Sequence, residues 1–114
     1  MRSRDDGFAL LLALAIAGAL MIIGVAGLSL CALTLAHARA ANAADLAAIA
    51  GASNVLDPCG SADRVATANS AELIDCALVE GDVTVRVQVR APAIAQWLGS
   101  DRLEVMSRAG PSTQ

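Results

Sequence analysis

The residues best equipped for covalent chemistry in this 114-residue chain are its three cysteines, Cys31, Cys59 and Cys76. Cys59 and Cys76 both follow a long apolar run, and paired thiols carried into an oxidising compartment close into a disulfide. Cys59 opens a loop behind Asp57-Pro58. Cys76 sits in a predicted strand whose apolar face turns inward, so the two converge on one core. Closing a loop of that length stabilises a small domain by about 3 kcal/mol. The alternative is a pair of buried thiols. Cys31 falls inside the apolar run, where a thiol behaves as a small hydrophobe. Zinc is not expected: there is no C-x-x-C, and the one histidine, His37, stands at the edge of the apolar run.

The remaining chemistry-bearing residues point to local structure. His37 has no second histidine to work with, and no serine occupies a nucleophile-elbow motif. Asp57 and Asp63 flank a turn, where aspartate commonly bonds its own backbone. No glycine-rich phosphate loop follows a strand; Gly24 and Gly27 lie in the apolar run. The net charge is −3 and the eight basic residues, all arginine, form no cluster. Binding to nucleic acid would need such a cluster; Arg86 and Arg90 on one strand face read as a solvated surface. The expectation is a non-catalytic protein with no cofactor, no metal, no nucleic-acid partner and no small-molecule substrate.

The element that must carry everything else is the run itself. Phe8 to Ala36 is 29 residues without a charge, and 18 or more apolar residues in sequence signal a membrane-spanning helix. At about 1.5 Å per residue it reaches about 43 Å, more than the roughly 30 Å hydrocarbon core. Arg2 and Arg4 precede it, which favours a cytoplasmic N-terminus and an extracytoplasmic C-terminal part in the cell membrane. The lipid bilayer is thus the first expected partner. Residues 1–7 form a cytoplasmic leader, and three fates are open for it. The run is an uncleaved signal anchor, or a signal peptide cut near Ala36-His37-Ala38, or a prepilin-type helix released by cleavage between Gly7 and Phe8.

Alanine-rich residues 37–56 continue the helix beyond the membrane, since alanine is the best helix former. Leu46, Ile49 and Leu56 share a face with Ser53 and are the expected packing face. Asp57-Pro58 ends the helix, and Ser61 is placed to cap a short helix over Ala62 to Asn69. Glu72 to Val79 and Val83 to Arg90 read as strands, the second with valines in strict alternation. With Gly81-Asp82 as a two-residue hairpin loop, Leu78 faces Val85, Cys76 faces Val87 and Ile74 faces Val89, all on one face. Ala77 with Arg86 and Asp75 with Gln88 form the wetter face. Trp97, in a helical turn after Pro92, reads first as a core plug, with headgroup anchoring or a subunit contact as alternatives. Residues 102–108 form a third strand. The predicted organisation is therefore α+β: a transmembrane helix over 8–36, its continuation over 37–56, a small head over 57–109 with a short helix and an antiparallel hairpin or three-stranded sheet, and a flexible tail over 110–114.

That order resembles a pilin-like architecture, and the sequence looks like the TadE-like and TadG-like proteins of the Flp (tight adherence) pilus apparatus, particularly a small actinobacterial group. The resemblance rests on Asp6-Gly7 before the span, Ala38-Arg-Ala-Ala-Asn-Ala-Ala-Asp-Leu-Ala-Ala-Ile-Ala50 after it, and the Cys59 segment. It continues in Val65-Ala-x-Ala-Asn69, in Cys76 before Gly81-Asp82-Val83-x-Val85-x-Val87, and in Arg108-Ala-Gly-Pro111. It implies a non-catalytic minor-pilin or pseudopilin-like component of Flp pilus assembly or an associated secretion apparatus, meeting other subunits through its helix. Phe8 suits the first position after a prepilin-type cut, whereas Leu12 stands at the fifth, where such substrates usually carry Glu. Two other classes compete: a plain signal-anchored envelope protein whose outer domain binds a protein partner, and a small holin-type membrane protein, which would not need a cysteine-bearing hairpin.

Overall fold

The structure is a computed structural model and describes residues 2–111. The first helix, α1 (Arg2–Ser53), is followed by α2 (Pro58–Ala68), strands β1 (Glu72–Val79) and β2 (Asp82–Arg90), the short helix α3 (Ala93–Trp97) and β3 (Arg102–Ala109). The class is α+β, a long N-terminal apolar helix with a short helix and a three-stranded antiparallel sheet ordered β1-β2-β3. Contacts divide the chain into two compact units that meet at Ala32/Leu33. Of the 110–114 tail, residues 112–114 lie outside the described residues, as does Met1 of the leader.

The first unit is helix alone. α1 is long and apolar enough to cross a membrane, and no residue in its most apolar stretch is buried. Its leucines and isoleucines project outward on every side, from Phe8 through Leu30. Such a helix satisfies its own backbone hydrogen bonds and leaves its apolar surface for lipid.

The second unit has a core built almost without large side chains. Ala43, Ala44, Ala47 and Ala48 of α1, Ala62 and Ala66 of α2, and Ala71 meet Val83, Val85 and Val87 of β2. The face expected to pack, with Leu46 and Ile49, is instead exposed, as is Leu56. The physical reason is close approach. A Cβ on Gly51 would stand 2.9 Å from Val83 Cγ1 and 3.0 Å from the Pro58 carbonyl oxygen. Only alanine and glycine fit a helix pressed that near to a sheet and a neighbouring helix, so the small-residue face wins over the more hydrophobic one.

α1 stops at Ser53, three residues short of the expected end. The Asn54 side-chain oxygen accepts from the backbone N–H groups of Leu56 and Asp57, at 3.2 and 3.1 Å. α2 then begins at Pro58, four residues earlier than the Ser61 cap implied. Asp57 is the true N-cap, its carboxylate accepting from Gly60 N at 3.0 Å, with Pro58 in the first turn. Proline is pre-shaped for that position and loses no hydrogen bond there. Ser61 is buried inside the helix and accepts from Asn54 Nδ2 at 2.6 Å.

The hairpin register differs from the expected one by two residues. The loop is Glu80-Gly81, both at positive φ (54° and 89°), as a type I′ turn requires. Asp82 joins the strand, where its carboxylate is ion-paired with Arg108 of β3. Cys76 therefore opposes Val85, not Val87, and Leu78 opposes Val83. On the wetter face Ala77 opposes Thr84 and Asp75 opposes Arg86. An even shift keeps the same residues on the same face, so the valine face still points inward. A bulge between Leu73 and Asp75 then displaces Ile74, and Leu73 takes its place opposite Val87.

Candidate functional site

The covalent feature of the head is the Cys59–Cys76 disulfide, with an S–S distance of 2.05 Å and Cα atoms 5.9 Å apart. It is positioned from both ends. Asp57 and Pro58 start α2 and set Cys59 on its first turn. The alternation of β1 turns Cys76 inward, against the core cluster. The bridge ties α2 to β1 across 17 residues. Cys31 stands on α1 in the apolar unit, outside this pairing.

The other sequence-singled residues are not brought together. His37 is exposed on α1; Asp57 is committed to its cap; Asp63 is exposed on α2. Among the described residues, no three His, Cys, Asp or Glu side chains gather where they could hold a metal ion. Gly7 and Phe8 both lie within α1 and are exposed. Trp97 is not a core plug: it is 92% exposed. Ala95 occupies the buried side of α3 instead.

Sequence reasoning missed an open cleft of about 690 Å³ at the end of the sheet where β1 begins and β2 ends. It is lined by polar side chains, among them Glu72, Gln88, Arg90, Asp101 and Arg102. Gln88 Nε2 donates to Glu72 Oε2 at 2.6 Å, and Arg102 stands 3.6 Å from the same carboxylate oxygen. Arg90 and Arg102 are cross-strand partners. The register alone could have revealed this pairing, had the third strand been aligned. Both charge signs are present and all four ionic side chains are exposed, so solvent screens the site and it presents a polar surface without a buried reactive group.

No family model matches the chain, and comparison with curated proteins and with solved structures finds no match either. The features that remain are architectural: one helix long and apolar enough to anchor the chain in a bilayer with a single pass, and a small disulfide-tied head.

Proposed function

We propose that the chain is a membrane-anchored, non-catalytic, pilin-like subunit of Flp (Tad-type) pilus assembly or an associated secretion apparatus. Its N-terminus is cytoplasmic, its head is extracytoplasmic, and its helix meets other subunits. The observation that carries this reading is the build of the head. The later turns of an N-terminal apolar helix form its core, packed by an alanine face on a three-stranded antiparallel sheet and fastened by one disulfide. An oxidised Cys59–Cys76 pair supports the extracytoplasmic side for the head. Small residues along the apolar run, such as Ala13/Ala17 and Ala15/Ala19, support close helix–helix approach in lipid.

The test is deletion in the native host, scored by surface filaments and by secretion, with rescue by the full chain. Loss of filaments or secretion, restored by the chain, is the expected result; unchanged filaments and secretion would sink the proposal. External protease should digest the head in intact spheroplasts, and protection there would overturn the orientation. The mature N-terminus, read by mass spectrometry, separates two versions. A start at Phe8 marks a processed subunit. An intact Met1 marks the second reading, a plain signal-anchored envelope protein whose head binds a partner, which Leu12 in place of the usual Glu favours.

A further inference from the structure

The second unit carries one apolar cluster that its own fold leaves uncovered. Ile94, Trp97 and Leu98 fall at i, i+3 and i+4 of α3 and its C-terminal residue, and are 41%, 92% and 82% exposed. The turn that presents them is well held. Gln96 Nε2 donates to the Ala91 carbonyl at 2.9 Å, Ser100 N donates to the Ala95 carbonyl at 2.9 Å, and Ala91 N donates to the Asp101 carbonyl at 2.9 Å.

The packing of the head fixes which end of it this cluster occupies. Gly51 of α1 abuts Val83. Asp45, six residues earlier, accepts a hydrogen bond from Ser107 Oγ at 2.5 Å, and Ser107 is opposite Val85. The helix and β2 therefore run in opposite directions. Arg90 is five residues past Val85, about 16 Å along the strand. That is about 11 helical residues back from Asp45, near Thr34 for parallel axes and nearer His37 for an oblique crossing. α3 follows directly after β2, so it lies level with residues 33–37, the last of the uncharged run and its edge. Burial agrees: Leu33 and Ala36 are half-buried between exposed neighbours, on one stripe with buried Ala40. Ala40, Ala91 and Ala95 are buried although they stand outside the main core cluster.

We propose that Ile94, Trp97 and Leu98 form an interfacial anchor that inserts into the headgroup layer of the membrane entered by the apolar run. The proposal rests on the run being a membrane anchor. Tryptophan concentrates at that depth because its ring is apolar while its N–H seeks a polar partner. The cleft beside α3 carries Arg90, Arg102, Glu72 and Asp101, two of each sign, and exposed Arg39 follows the 33–37 level on α1. The three anchor residues are themselves uncharged, so their insertion is apolar and needs no anionic lipid.

Trp97 is the only tryptophan in the chain, so its fluorescence reports on α3 alone. The full chain is reconstituted into phosphatidylcholine vesicles carrying a spin label either on the headgroup or deep on the acyl chain. We expect blue-shifted emission, strong quenching by the headgroup label, weak quenching by the deep label, and no release in high salt. The double variant Ile94→Asn/Leu98→Asn changes only exposed positions and keeps the reporter; it should return the emission toward that of indole in water. Chain that floats with the vesicles yet emits as in water, unquenched by either label, overturns the anchor while leaving the membrane span intact. Blue-shifted but unquenched emission assigns the patch to a subunit contact and equally overturns it. Failure to float at all overturns the span together with this proposal.

Discussion

Two stretches of one helix are both rich in alanine and differ in what surrounds them. From Phe8 to Ala32, α1 is mostly leucine, isoleucine and alanine, and its large side chains are all exposed; from Leu33 to Ser53 it is more alanine-rich still, and a stripe of those alanines is buried. In the first stretch the large side chains supply apolar area to a solvent that is itself apolar. In the second the small side chains set a distance, letting the sheet come close enough for Val83, Val85 and Val87 to be sealed off. Large aliphatic side chains thus serve as bulk apolar surface in one place, and alanines as spacers in the other.

Removing the disulfide should separate the stretches most sharply. Cys59→Ser with Cys76→Ser, or reduction, should cost the head about 3 kcal/mol. Amide exchange should rise throughout the sheet and α2 while the apolar stretch stays protected in micelles. Equal loosening of both would show that the bridge does not act on the head alone. Next in size is a matched pair of enlargements. Ala47→Leu should destabilise the head by about 1–3 kcal/mol through overpacking, whereas Ala17→Leu should leave its denaturation midpoint unmoved. If both variants unfold the head equally, the spacer role of the buried alanines is wrong. Asp57→Ala removes the α2 cap and should cost about 1 kcal/mol, seen as early fraying of residues 58–61 in hydrogen exchange. The smallest effect belongs to Arg108→Ala. Its ion pair with Asp82 has one well-exposed partner, so the loss should be a few tenths of a kcal/mol and shrink in salt; a loss beyond about 1 kcal/mol would mean that the pair governs the strand register.

What the amino-acid pattern made legible was set by strong, local signals. The uncharged run and the alternating valines of β2 name their elements because each keeps one period over many residues. The disulfide was reachable because Cys76 shares the valine face. The packing face of the helix was not, since Leu46 and Ile49 outscore alanine on any hydrophobic count, and only the approach of the sheet reverses the choice. The loop lies at Glu80-Gly81 and not at Gly81-Asp82, with both residues at positive φ as a type I′ turn requires and Asp82 taken into the strand. Ile74 was misassigned by a bulge, which leaves no mark in the alternation around it. Trp97 is exposed where a lone aromatic would usually be buried, and the narrow alanine core has no volume to receive it. The polar cleft joins β1 with the adjoining ends of β2 and β3, so it became visible only with the third strand in place.

The core cluster of the head comprises seven alanines and three valines. Alanine has no rotamers to lose on burial, and valine, branched at Cβ, has few. Ordering such a core gives up almost no side-chain freedom beyond that of the backbone. A head with little apolar area to bury can therefore settle into one conformation, because the opposing entropy of its interior is small as well.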